Sequence, residues 1–284
     1  MSTTLFPRLA GVRSPVLILA LSLAFVPSLQ AADRPSKGEN CLFLGHSFFA
    51  PVVRHLPEHA KRAGFEAHEQ MIVFHGGTKG SPGLMWKSPK EDVAKAKAWI
   101  ETGEVDLVAM TYHSRGESLL EHYDHWVKFA LKHNPNTRFL IQATWPNKRN
   151  RTLVEFEGYA EGIEKSVHEI LGQLRQAYPG TQFGCVPQGR WMVGLWRLQE
   201  AGKLPELAGL TAERKNSGHT YLFRDLTGHG GTLAVKEGVL LWFAAIYSVD
   251  LESYDYEPGA KADLKGLAKT ILEAHPVWGE GETE

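Results

Sequence analysis

Short apolar runs alternate along this chain with longer stretches in which apolar residues recur every three or four positions. The runs are Cys41–Leu44, Met71–Phe74, Leu107–Met110, Phe139–Ala143 and Phe183–Val186. Four are apolar throughout and Phe139–Ala143 carries a single polar residue, Gln142, the near-continuous pattern of a strand covered on both faces. Between and after them the helical period predicts helices near 50–64, 90–102, 117–133, 155–178, 190–201 and 232–248, with one more near 261–274. Strand–helix alternation of this kind predicts an α/β fold, a parallel sheet of five strands covered by helices on both faces. Two stretches depart from the rhythm. His75–Pro89 holds four glycines and two prolines and reads as a loop. Lys203–Gly218 reads as another, leading to His219–Phe223 and then Arg224–His229.

The N-terminal pattern differs. Arg8 and Arg13 precede an uncharged stretch, Val16–Val26, followed by Pro27-Ser28-Leu29-Gln30-Ala31-Ala32. This is the layout of a signal peptide over residues 1–32, cut near Ala31 or Ala32, and too short to span a bilayer comfortably. The expectation is a secreted or periplasmic protein with no stable membrane span after processing. A linker is expected at 33–40, the main domain at 41–252 and a C-terminal extension at 253–284.

Composition narrows the partner. The chain has 284 residues, 43% hydrophobic, with a formal net charge of -1, which allows a sizeable core. Its basic residues are scattered, so there is no footprint for nucleic acid, and a small or neutral molecule is the expected partner. Gly76–Gly83 lacks the Gly-Lys-Ser/Thr ending of a phosphate loop, and no cofactor is expected. Cys41 and Cys185 both lie in apolar runs, where a free thiol packs as a small hydrophobe, and a disulfide between them is allowed but not required.

Candidate chemistry begins at Gly45-His46-Ser47-Phe48, directly after the first run. A strand that ends in a Gly-x-Ser turn lifts the serine to the carboxyl edge of the sheet, where ligands of open α/β folds bind. Ser47 is therefore a candidate nucleophile, or else the N-cap of the following helix. A serine hydroxyl needs a base. His229 is the candidate, with Asp225 four residues earlier to hold its tautomer; an ordinary Asx turn is the plainer reading of that loop. Backbone donors for an oxyanion are available at Gly76-Gly77 and at Ser47, and a third from Thr111-Tyr112-His113-Ser114.

These residues, with Trp86, Asp106-Leu107-Val108, Thr144-Trp145 and Val186-Pro187 in the same order, resemble the SGNH hydrolases, also called the GDSL lipase/esterase family. The likeness spans residues 41–250. It implies a flavodoxin-like three-layer α/β/α sandwich that hydrolyses esters without a metal, with Ser47, Asp225 and His229 as catalytic residues and Gly77 in the oxyanion hole. It also implies a small-molecule or carbohydrate ester, O-acetyl groups on sugars in particular. Three positions differ from the family pattern. Gly-Asp-Ser is here Gly45-His46-Ser47, the family's Asn after the third strand is replaced by His113 or Ser114, and Asp-x-x-His is lengthened to Asp225-Leu226-Thr227-Gly228-His229.

Rival patterns exist. His55-Leu56-Pro57-Glu58-His59 matches the His-x-x-Glu-His of inverted zinc peptidases, although Pro57 is awkward in a helix interior; the plainer reading is surface histidines. His122–His125 reads as a solvated helix face. A non-catalytic carbohydrate-binding domain would use Trp86, Trp145, Trp191 and Trp196 as platforms, with at least two of the four expected in packing.

Overall fold

The five apolar runs form the strands of one sheet in the computed structural model, which describes Met1 and residues 37–212 and 220–278; the expected leader after Met1, half of the linker at 33–40 and the end of the loop expected at Lys203–Gly218 lie outside the described residues. The strands are β1 (Asn40–Gly45), β2 (Glu69–Phe74), β3 (Leu107–Thr111), β4 (Arg138–Gln142) and β5 (Phe183–Val186). All are parallel, in the order β2-β1-β3-β4-β5. Alternate side chains enter two separate cores. Phe43, Ala109, Leu140 and Val186 face one, while Leu42, Leu44, Val108, Met110 and Ile141 face the other. Both faces are covered, which is why these strands read as near-continuous apolar runs rather than alternating ones.

One face is covered by α1 (Ala50–Val53) and α2 (Leu56–Arg62), and the other by α3 (Pro82–Trp86), α4 (Glu91–Glu101), α5 (Leu120–His133) and much of α6 (Leu153–Ala177). The first face is completed by α7 (Gln188–Glu200), by α8 (Thr232–Glu237) and α9 (Val239–Tyr247), and by α10 (Leu264–Ala274). The result is a three-layer α/β/α sandwich with the flavodoxin-like strand order. A small parallel pair, β6 (Gly209–Thr211) and β7 (Tyr221–Phe223), stands apart from the main sheet. Among the described residues, no helix is long and apolar enough to cross a membrane.

The structure departs from the periodicity at several points, each with a local cause. The helix expected at 50–64 is two, with a break at Arg54-His55; Pro57 falls in the first turn of α2, where its missing N–H leaves no bond unmade. The helix expected at 232–248 breaks at Gly238, where a Cβ would stand 2.6 Å from the Ala234 carbonyl oxygen and 3.0 Å from Trp191 Nε1. The loop expected at His75–Pro89 contains a tight 3-10 turn, Gly77–Gly80, and α3, which begins at Pro82 and buries Met85. His122 and Tyr123, expected on a solvated face, are buried with Trp126 and Val127 because that side of α5 packs on the sheet.

Of the expected C-terminal extension, residues 253–278 are described, and they fold back on the domain. α10 joins the core formed by α7 and α9, and the Val277 carbonyl accepts the Cys185 N–H at 3.0 Å. Cys185 on β5 and Cys41 on β1 are both free. With β3 and β4 between them they are three strand spacings apart, roughly 14 Å at about 4.8 Å per strand, well beyond disulfide reach.

Trp242 of α9 ties this layer to the start of α1. Its ring centroid is 6.0 Å from that of Phe43 and 5.2 Å from that of Phe49, and Nε1–H donates to Gln188 Oε1 at 2.7 Å. Trp242→Ala is expected to lower stability by about 3–5 kcal/mol, measured by urea unfolding, and Trp242→Phe by less.

Candidate functional site

β1 ends at Gly45, where any side chain would collide with the Phe49 ring: a Cβ would be 2.2 Å from it. The chain then reverses, with the N–H groups of Phe49 and Ala50 both donating to the His46 carbonyl at 3.0 Å. The N-cap of α1 is Phe49, not Ser47, so the serine is left projecting from the turn. Below it lies a closed circuit of buried hydrogen bonds. Phe48 N–H donates to His46 Nδ1 at 3.2 Å, so the ring proton sits on Nε2, which faces the Tyr112 carbonyl and Thr111 Oγ1, both at 3.3 Å. Thr111 Oγ1–H donates to Gln142 Oε1 at 2.7 Å, and Gln142 Nε2–H returns to the Phe48 carbonyl at 3.1 Å. Burial, reinforced by His113, pushes the His46 pKa down to about 3, so the ring is neutral.

Ser47 Oγ lies 2.8 Å from His229 Nε2, and His229 Nδ1 lies 2.7 Å from Asp225 Oδ2. A carboxylate only accepts, so Nδ1 carries the imidazole proton and Nε2 turns its lone pair toward the serine hydroxyl. Burial alone would raise the Asp225 pKa, but hydrogen bonds from the His229 backbone and ring and from Gly228 N–H outweigh it and hold the carboxyl below its ordinary range. The chain from Asp225 to His229 turns at Gly228, whose φ is +101°. Its N–H donates to Asp225 Oδ1 at 3.0 Å, and a Cβ there would be 2.5 Å from Lys148 N.

This loop is bound to the segment that leaves β4. Trp145 Nε1–H donates to the Gly228 carbonyl at 2.8 Å, and the N–H groups of Lys148 and Arg149 donate to the Thr227 and Leu226 carbonyls at 2.9 and 2.8 Å. Phe48 stacks on Trp145 with centroids 4.9 Å apart and meets the His229 ring edge-on at 5.0 Å. The imidazole is thus held by an aromatic wall on one side and a carboxylate behind.

Ser47 and His229 open into a cavity of about 540 Å³ at the carboxyl edge of the sheet, beside the point where the strand order reverses between β1 and β3. The remaining residues singled out from sequence, Gly77, His113 and Ser114, line the same cavity. Gly77 has φ +58° at the start of its 3-10 turn, a conformation that favours glycine. His113 spends its backbone N–H on Ser118 Oγ, while its Nδ1 accepts from Arg115 N–H at 3.1 Å. Burial lowers its pKa, so the neutral ring carries its proton on Nε2.

The zinc pattern does not assemble. His59, expected at the surface, is buried with Nδ1 3.0 Å from the Tyr254 hydroxyl and its ring against Tyr256. Among the described residues, no group of three or more His, Cys, Asp or Glu side chains could hold a metal. Of the four tryptophans, Trp191 and Trp196 are core, Trp86 is sandwiched between Lys97 and His125 away from the cavity, and Trp145 alone lines it. Gln142 was not singled out from sequence, and Phe48 and Thr111 entered only as members of the segments named for Ser47 and for an oxyanion donor; a glutamine and a threonine ending consecutive apolar strands are the signal that could have marked the circuit.

No protein-family model matches the sequence, and no curated protein matches it. Among solved structures, the fold is similar to that of a DUF4886 family protein from Bacteroides uniformis, with TM-score 0.55 and 13% identity over 84% of this chain and 95% of that one. An SGNH hydrolase candidate from Slackia heliotrinireducens aligns with TM-score 0.45 and 15% identity over 73% of this chain and 98% of that one. The periplasmic domain of a lipopolysaccharide acetyltransferase from Salmonella Paratyphi A gives 0.36 and 13% over 54% and 67%. At 13% identity the likeness to the first of these is one of fold alone.

Two outcomes are expected. Gly228→Ala should displace the loop against Lys148 and lower any activity that depends on His229, seen as a loss in kcat/KM larger than the change in Tm. Stability should fall on acidification, because His46 and His59 have folded pKa values pushed down to about 3 and about 4 from 6.5, so the unfolded chain takes up protons that the folded one refuses. The loss begins as pH drops through 6.5 and ends near those folded values, costing up to about 1.4 kcal/mol per histidine per pH unit. Tm measured against pH should show it, and His46→Gln should flatten the slope.

Proposed function

We propose that this chain is a secreted serine esterase of the SGNH type that hydrolyses an ester through an acyl-enzyme. The observation that carries the reading is the unbroken line of hydrogen bonds from Ser47 through His229 to Asp225, opening into the cavity at the sheet edge. The N-terminal leader pattern supports export.

In the proposed reaction His229 Nε2 takes the Ser47 proton as Oγ attacks the acyl carbon. The carbonyl π electrons move onto oxygen, and the oxyanion is held by the Ser47 and Gly77 N–H groups, with His113 Nε2–H in the place of the family's Asn. The tetrahedral species collapses, the ester C–O bond breaks, and the alcohol leaves with the proton that His229 returns. Water then attacks the acyl-Ser47 with His229 as base, releasing the carboxylic acid and restoring the serine. Asp225 stays ionised throughout and stabilises the imidazolium. An O-acetylated carbohydrate is the proposed substrate class.

The test is hydrolysis of nitrophenyl acetate and of acetylated sugars. Ser47→Ala is expected to abolish turnover with Tm unchanged, and Asp225→Asn to reduce kcat on the order of 10³–10⁴-fold. His113→Ala should cost about 10²–10³ in kcat, with His113→Asn recovering much of it. Labelling of Ser47 by a fluorophosphonate should require His229. Tight sugar binding with no turnover of any ester would instead mark a binding domain, and would overturn the reading.

A further inference from the structure

The residues that line the cavity are unbalanced in charge. Arg115 and Arg151 both line it, and no Asp or Glu is among the described residues that do. Its imidazoles do not add to or cancel this charge where burial is decisive: His46 and His113 have lowered pKa values and stand neutral. Asp225 sits behind His229, committed to the ring and to two backbone N–H groups. In a chain with a formal net charge of -1, this is a local excess of positive charge.

Arg151 is held in place. It donates through Nη1 to the Asn147 carbonyl, and its guanidinium carbon lies 4.3 Å over the Tyr159 ring. Asn147 and Tyr159 line the same cavity, so the cation forms part of a built wall. The nearby Glu155 feels Arg151, but its Oε2 accepts the Thr152 N–H and hydroxyl at 2.9 and 3.0 Å and serves as a helix cap. A guanidinium has five N–H donors in a fixed fork suited to an oxyanion. Stacking on Tyr159 and one backbone bond leave donors over. Apolar walls such as Phe48 and Trp145 lower the local dielectric and strengthen any ion pair formed there.

We propose that the ester taken by this site carries an anionic group, a carboxylate, sulfate or phosphate, which Arg115 and Arg151 recognise. The proposal rests on the esterase reading and adds the charge class of its substrate. Charge on the substrate also bears on rate, because a cationic cleft raises encounter with anions in a salt-dependent way.

The experiment measures kcat/KM of the full protein on two matched pairs of esters. In one pair the leaving group is a nitrophenol bearing a carboxylate or its methyl ester; in the other the acyl group ends in a carboxylate or a methyl. The charged member of at least one pair is expected to be preferred by about tenfold or more at low salt, and the preference to shrink as salt screens it. The pair that responds identifies which side of the ester meets the arginines. In the Arg115→Gln, Arg151→Gln double variant the ratio should fall to near one, while the Arg115→Lys, Arg151→Lys variant should keep part of it. No preference in either pair, or the same preference in the Gln double variant, overturns the proposal and leaves the esterase reading standing. If no ester is turned over, the esterase reading fails, and calorimetry of the charged ester with Ser47→Ala protein still decides the arginines: binding lost in the Gln double variant supports them, and equal binding of charged and neutral esters overturns them.

Discussion

The turn after β1 is held from below, and the geometry of the site depends on that hold. His46, Phe48, Thr111 and Gln142 exchange hydrogen bonds in a closed circuit, drawing on the ends of β1, β3 and β4 together. A buried donor or acceptor deprived of its partner costs on the order of 1–3 kcal/mol, so each member enforces the others. The turn therefore cannot shift without breaking several bonds in a place where water cannot replace them. His46 fits this role only while neutral, since one ring nitrogen accepts and the other donates. The same burial that lowers its pKa keeps it in the form the circuit needs.

The second half of the site is fastened differently. Asp225 and His229 ride on a loop without regular structure, and their position is set by backbone pairing with residues 148–149 and by the indole of Trp145. Phe48 links the halves, because it belongs to the first turn yet stacks on Trp145 and touches the His229 ring. Residues separated by 182 positions in sequence are thereby brought to 2.8 Å. The sheet supplies the common edge, and aromatic contacts and left-handed Gly228 supply the final alignment.

How much of this could be read beforehand follows from which forces leave a local trace. The strands were legible because burial on both faces favours near-continuous apolar runs, and Leu42, Val108 and Ile141 announce it directly. The strand order is not a local property, and it was reached through the likeness of spaced motifs. Ser47 and His229 were legible as residue types in suitable turns, while their meeting was not, since nothing local encodes Trp145 reaching Gly228. The breaks at Arg54-His55 and Gly238 escaped periodicity because apolar spacing continues through them; a side chain at Gly238 would collide with the Ala234 carbonyl, Gln188 and Trp191. His59 was misplaced at the surface because its partner, the Tyr254 hydroxyl, is 195 residues away, while His122 has local partners in Glu117 and the Leu119 N–H and is buried by the packing of α5.

Cys41 and Cys185 stand on β1 and β5, with β3 and β4 between them. Burial pushes both thiols up in pKa, and the reactive form of a cysteine is its thiolate. Alkylating reagents thus meet a sealed sulfur at each place until the surrounding layers part. The chain carries, without any engineering, a pair of chemical clocks, and whether they run at one speed or two tells whether the sheet opens as a unit or sheds β5 first.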